Sequence, residues 1–227
     1  MEIKLKSKED LLKDIDKYKS GSGDSKFIGE SGLYKVAIKR AAFTTASTGA
    51  KKFSLNVVKD GGDSEQIINL GVVYKADGSE NDFAMAKLAS LLTLYSVGKI
   101  QTQPVKLTGF DGREIEAEEI KELAGKKLFI QVQREYSGYN GKIYRNLNLI
   151  DSFRLQDEAN ADEILNNKNL GKRYAWLRAN PEKINKDKFR DITQKEVEAY
   201  YAAKKAEKAN AEQRLDGGSD SNEEMPF

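Results

Sequence analysis

From Tyr34 to Val73 apolar residues fall on alternate positions in three successive runs, and that period confines the segment to half-buried antiparallel strands. In LYKVAIKRAAFTT, Tyr34, Val36 and Ile38 share one face while Lys35, Ala37 and Lys39 share the other. KKFSLNVVKD repeats the pattern, with Phe53, Leu55 and Val57 inward and Lys52, Ser54 and Asn56 outward. EQIINLGVVYK makes a third strand in which Gly71 marks a bulge. The links STGAK and GGDS are short and contain glycine, so the three strands form a meander.

The period then changes. In NDFAMAKLASLLTLYSVG, Met85, Leu88, Leu92 and Tyr95 recur at helical spacing, Asn81 or Asp82 is placed to cap, and Gly98 stands where a helix would stop. Apolar on most of its faces, this helix is expected to plug one end of the sheet. PVKLTGFDGREIEAEEIKELAG reads as an excursion: a short extended piece, a turn at Asp111-Gly112 and a charged stretch. KKLFIQVQREY and KIYRNLNLIDSFRL are two further strands, joined through Asn140-Gly141, a strong type I′ hairpin signal. Three strands, a helix and two strands predict a mainly β chain with appended helices: a five-stranded OB-fold barrel over residues 27–156, with the helix between strands 3 and 4.

The flanks differ in composition. Residues 1–26 form an N-terminal arm with a short helix, capped by Ser7 and carrying Leu11, Leu12 and Ile15. Residues 157–215 read as a helical segment. Its last helix has Thr193 and Glu196 as a capping box and a thin stripe of Val197, Tyr200 and Tyr201, so it packs lightly. Residues 216–227, DGGSDSNEEMPF, contain acids and small polar residues without a base and are expected to stay unfolded. No apolar run reaches the roughly 18 residues needed to span a bilayer, and the start lacks the apolar stretch of a signal peptide. A cytoplasmic location without membrane contact is expected.

Cys and His are absent from all 227 residues, which removes disulfides, zinc knuckles, Cys nucleophiles and His-based triads. No cofactor or enzyme activity is expected. The carboxylates Asp111, Glu114, Glu116, Glu118, Glu119 and Glu122 are contiguous rather than convergent, so they read as a solvated face and not as a two-metal nuclease site. Overall the chain has 38 bases and 36 acids; four of those acids lie in residues 216–227, which leaves 32 acids and an excess of six bases in the rest. A mildly basic body suits a polyanionic partner.

Single-stranded nucleic acid binds where cations follow the backbone and aromatic faces accept stacked bases. Arg134, Tyr136, Tyr139, Lys142, Tyr144 and Arg145 gather around the Asn140-Gly141 hairpin, at the loop position that OB-folds use for binding. Lys35, Lys39, Phe43, Lys51 and Lys52 lie on outward positions or near the turn of the first hairpin. GKRYAWLR adds Lys172, Arg173, Tyr174, Trp176 and Arg178, although a lone Trp more often anchors packing.

These pieces together resemble single-stranded DNA-binding proteins, most of all those encoded by bacteriophages. The ending SNEEMPF is similar to the acidic tip of the bacterial family, with Met225 where Ile is usual, Pro226, and a terminal Phe227 behind Asp220, Glu223 and Glu224. The resemblance implies protection of single-stranded DNA with little sequence preference during replication, recombination and repair. It also implies recruitment of partner enzymes by Asp220, Glu223, Glu224, Met225, Pro226 and Phe227. The barrel lacks the usual bacterial core sequence, and a helical segment replaces the Gly/Gln-rich linker. A monomer or homodimer is therefore expected rather than the bacterial tetramer. The alternative reading is a recombination mediator or annealing module on the same fold, with weak DNA contact.

Overall fold

The computed structural model describes residues 26–98, 100–108 and 114–216, with side chains as far as Glu207. The chain divides into two compact units: residues up to Glu135 with Asn146–Lys188, and Tyr136–Arg145 with the residues from Phe189 onward. The expected arm helix, the Asp111-Gly112 turn and the tail residues Asp220, Glu223, Glu224, Met225, Pro226 and Phe227 lie outside the described residues.

The first unit is built on β1 (Gly32–Thr45), β2 (Lys51–Lys59), β3 (Glu65–Tyr74), α1 (Asp82–Thr93), β4 (Thr102–Thr108), β5 (Glu114–Ile120), β6 (Lys127–Tyr139) and β7 (Lys142–Arg154). Neighbouring strands run β1-β2-β3-β7-β6, and pairing of β1 with β6 closes the ring. β3 meets β7 in parallel through Asn69 and Asn148, while β1 runs antiparallel to β2 and β6. This is a closed five-stranded, OB-fold-like barrel with appended helices, and α1 falls between its third and fourth strands as expected.

The alternation read from the sequence is what fills the barrel. Val36, Ile38, Phe53, Leu55, Val57, Ile68, Leu128, Ile130 and Leu149 are all buried in one core, with Leu88 and Leu91 of α1 against them. Truncating a ring such as Phe53 to alanine there costs about 3–5 kcal/mol. The register slips where Phe53 pairs with Gly71 and Ser54 with Asn69, so the expected bulge is present. A second slip puts Ile38 opposite Val57 and Arg40 opposite Asn56, leaving Lys39 as the extra residue. There β1 changes partners: Gly32–Ala37 face β6, and Ala42–Thr44 face β5.

Two expectations are corrected. The excursion is a β-hairpin, with β4 and β5 paired from Thr102–Ile120 to Thr108–Glu114 and β5 laid along the far end of β1. Val105 and Leu107 lie opposite Ala117 and Ile115 on one face, and Glu114, Glu118 and Glu119 meet cations of other strands. The helix α1 ends at Thr93, well before Gly98: Ser96 takes the left-handed conformation (φ 55°), and the Val97 N–H donates to the Leu92 carbonyl at 3.2 Å. At its start Asn81, not Asp82, is the cap, its side chain accepting from the Ala84 N–H at 3.4 Å.

After β7 come α2 (Ala161–Asn166), α3 (Lys172–Ala179) and α4 (Pro181–Ile184). Phe153, Tyr174, Leu177 and Ile184 form a second small core against Leu33 and Phe129 on the outer side of the barrel. In the second unit the hairpin tip joins Phe189 and α5 (Gln194–Asp216). The expected capping box is present, with the Thr193 N–H donating to Glu196 Oε2 at 2.7 Å and the Glu196 N–H to Thr193 Oγ1 at 3.3 Å. The short strand β8 (Lys188–Arg190) lies beside β6 in the sheet. Among the described residues no helix is long and apolar enough to cross a membrane.

Candidate nucleic-acid interface

Two positive φ values, 49° at Asn140 and 70° at Gly141, form the turn between β6 and β7, as the Asn-Gly pair predicts. Four of the expected hairpin residues are exposed around it: Tyr139 (68% exposed), Lys142, Tyr144 (46% exposed) and Arg145. Among the described residues neither Lys142 nor Arg145 has an ion-pair partner. The hairpin therefore holds exposed rings and exposed positive charge without an ion pair among the described residues, the combination that suits unpaired bases and phosphates.

Two other residues of the expected set do something different. Tyr136 is only 7% exposed, stacked on Phe189 with centroids 5.6 Å apart and planes at 13°, with the edge of Tyr201 at 6.3 Å. It offers no face to a base, because Phe189 and α5 cover it. Arg134 is a structural clamp: its Nη2 and Nε (2.8 Å) donate to the Asp187 carboxylate and its Nη1 to the Gly29 carbonyl at 2.5 Å. Ser31 Oγ donates to the same carboxylate at 2.8 Å and accepts the Arg134 N–H at 2.9 Å, so the group ties the start of β1 to β6 and to the segment before β8.

The first hairpin also departs from expectation. Phe43 is 8% exposed and packs on Phe53 at 4.8 Å and on Tyr74 at 6.5 Å, because the β2 and β3 rings close over it. Lys51 is held by Glu118 at 2.7 Å and Lys35 by Asp60 at 3.0 Å. Nearby, Arg40 meets Glu119 at 3.4 Å and Lys106 meets Glu114 at 2.7 Å. Of the expected cations here, Lys39 and Lys52 are exposed and have no ion pair among the described residues. A groove of about 490 Å³ runs beside Phe43, lined by Lys51, Tyr74, Lys75 and Glu118 among others. Tyr74 and Lys75 were not singled out from the sequence; the signal was an aromatic-cation pair at the end of a strand just before a glycine-containing turn.

The Glu114 to Glu122 cluster is dispersed onto these ion pairs, with Glu119 also accepting from Gln103 at 3.2 Å and Glu122 from the Gln101 N–H at 3.3 Å. Among the described residues no group of three or more carboxylates is arranged to hold a metal ion. Burial pushes the Tyr174 hydroxyl up to about 12, as it does that of Tyr95, whose hydroxyl donates to the Lys127 carbonyl at 3.1 Å. Both rings serve packing rather than contact with a ligand. No protein-family model matches this chain, and no curated protein matches it.

Proposed function

We propose that this chain binds single-stranded DNA with little sequence preference, protecting it while DNA is replicated, recombined or repaired. The observation that carries the reading is the exposed set Tyr139, Lys142, Tyr144 and Arg145 around the β6–β7 turn of an OB-fold-like barrel. Each base stacked on a tyrosine contributes about 1–3 kcal/mol, and every base has a face to offer, so the contact discriminates little between sequences. The cations add affinity that salt removes, since each neutralised phosphate releases counterion.

The acidic tail complements this body. Phe227 enters an apolar pocket of a partner enzyme, and the acids steer the approach. The likeness of the tip to the bacterial one supports a role in the cytoplasm of a bacterium, with a bacteriophage as the source.

The test is the anisotropy of fluorescein-labelled oligo(dT) titrated with the full chain at low and high salt. Saturable binding that weakens steeply with salt, and much weaker binding of a duplex of equal length, is expected. Absence of binding at low salt, or equal affinity for duplex, overturns the reading.

A further inference from the structure

One exposed stretch outside the hairpin combines cations with an aromatic ring and contains no acid. Residues 164–181 contain Lys168, Lys172, Arg173 and Arg178 and no Asp or Glu. Within it the only tryptophan of the chain, Trp176, is 44% exposed rather than packed.

The local fold explains why the ring faces outward. Gly171 has φ 76°, and a Cβ there would sit 2.6 Å from the Asp157 carbonyl oxygen, so only glycine fits the entry to α3. The buried Glu163 carboxylate accepts the N–H groups of Gly171 at 3.0 Å and Arg173 at 2.7 Å, which fixes the first turn. Tyr174 and Leu177, three apart, turn inward onto Phe129 and Phe153. That leaves Lys172 and Trp176, four apart, on the opposite face, with Arg173 on its flank and small Ala179 beside the ring, while Arg178, two residues from Trp176, turns towards the Tyr174 side. The Arg173 guanidinium lies 5.2 Å from the Trp176 ring centre. Its nearest carboxylate, Asp151, is 3.9 Å away, and Glu158 is 3.9 Å from Arg178; neither approach is a close ion pair.

We infer that Trp176 with Lys172 and Arg173 forms a second contact for single-stranded DNA, in which one base stacks on the indole and the flanking phosphates meet the two cations. The inference rests on the reading above and assigns it an additional site. Charge complementarity favours a polyanion, and the exposed ring favours one with unpaired bases.

Because Trp176 is the sole indole, its emission reports this site alone. Titration of the full chain with unlabelled oligo(dT) is expected to quench it, saturating at the concentration at which labelled oligo(dT) saturates by anisotropy. Trp176→Ala is expected to weaken oligo(dT) binding about tenfold, with Trp176→Phe keeping most of the affinity. Since the ring is exposed, both variants should retain the circular dichroism and thermal unfolding of the parent. Binding by anisotropy with unchanged indole emission and unchanged affinity of Trp176→Ala overturns this site and leaves the proposed function standing. Quenching by a synthetic peptide of residues 216–227 but not by oligo(dT) overturns it in favour of an acidic protein ligand. No oligo(dT) binding by either measurement ends both readings.

Discussion

Two parts of the barrel unit are rich in cations and hold them differently. Along β1, β2 and β4, Arg40, Lys51 and Lys106 each meet a carboxylate of β5 within 3.4 Å. On α3 the cations Lys172, Arg173 and Arg178 stand in a stretch without a single acid, and the two ion contacts they make are both 3.9 Å long. Both regions look basic when outward lysines and arginines are counted along one strand or helix. The difference comes from what the chain brings alongside: the β4–β5 hairpin folds its acids onto one cation set, while α2 turns Glu163 inward to the backbone and leaves only the longer approaches of Asp151 and Glu158 on the other. A positive residue presents a stronger field to a polyanion where the fold holds anions further from it.

The largest effect separating structural from available cations is expected at Arg134. Replacing it with alanine strands the half-buried Asp187 carboxylate and should lower unfolding free energy by about 2–4 kcal/mol in urea titrations. Arg145→Ala should leave stability unchanged and weaken oligo(dT) binding instead. Equal stability losses for the two would erase the distinction. Next is Glu163→Ala, which leaves the N–H groups of Asn160, Gly171 and Arg173 without their acceptor. A loss of about 1–3 kcal/mol is expected, with Glu163→Gln milder because it keeps an acceptor.

A smaller effect appears with pH. The hydroxyls of Tyr95 and Tyr174 are raised from 10.0 to about 12 by burial, so the folded state holds their protons longer than the unfolded chain does. Their contribution is fully present below pH 10 and is lost as pH rises towards 12. Tyr174→Phe should flatten that alkaline fall in stability, measured by urea unfolding at stepped pH, whereas Trp176→Phe on the other face should not. The smallest effect is expected for Glu118→Gln. Releasing the half-exposed Lys51 should change stability by about 0–1 kcal/mol. Oligo(dT) affinity should stay the same; a clear gain would mean that the β1–β2 turn contacts DNA once its acids are removed.

The barrel was legible because burial on one face of each strand leaves a period of two, and because Asn140-Gly141 requires positive φ at both residues. The β4–β5 hairpin was not, since its alternation is limited to Val105 and Leu107 on one strand and Ile115 and Ala117 on the other, and Glu118 and Glu119 interrupt it. Nor was the end of α1, where Ser96 adopts the conformation expected of Gly98. Among the candidate contacts, the exposure of Tyr144 goes with strand parity, since Leu147 and Leu149 point inward, and Tyr139 is exposed beside the turn. Phe43 and Tyr136 share that aromatic character but are covered by partners from distant sequence: Phe53 and Tyr74 for one, Phe189 and Tyr201 for the other. Trp176 failed in the opposite direction. A lone indole was expected to pack, yet Tyr174 and Leu177 fill that role and leave it outside.

The most direct test of the account compares the parent chain with Tyr139→Ala/Tyr144→Ala in a titration of labelled oligo(dT) at low salt, with thermal unfolding recorded alongside. The account expects binding weaker by about tenfold or more at unchanged unfolding temperature, from two lost stacking faces. Unaltered affinity in a folded double variant would contradict it.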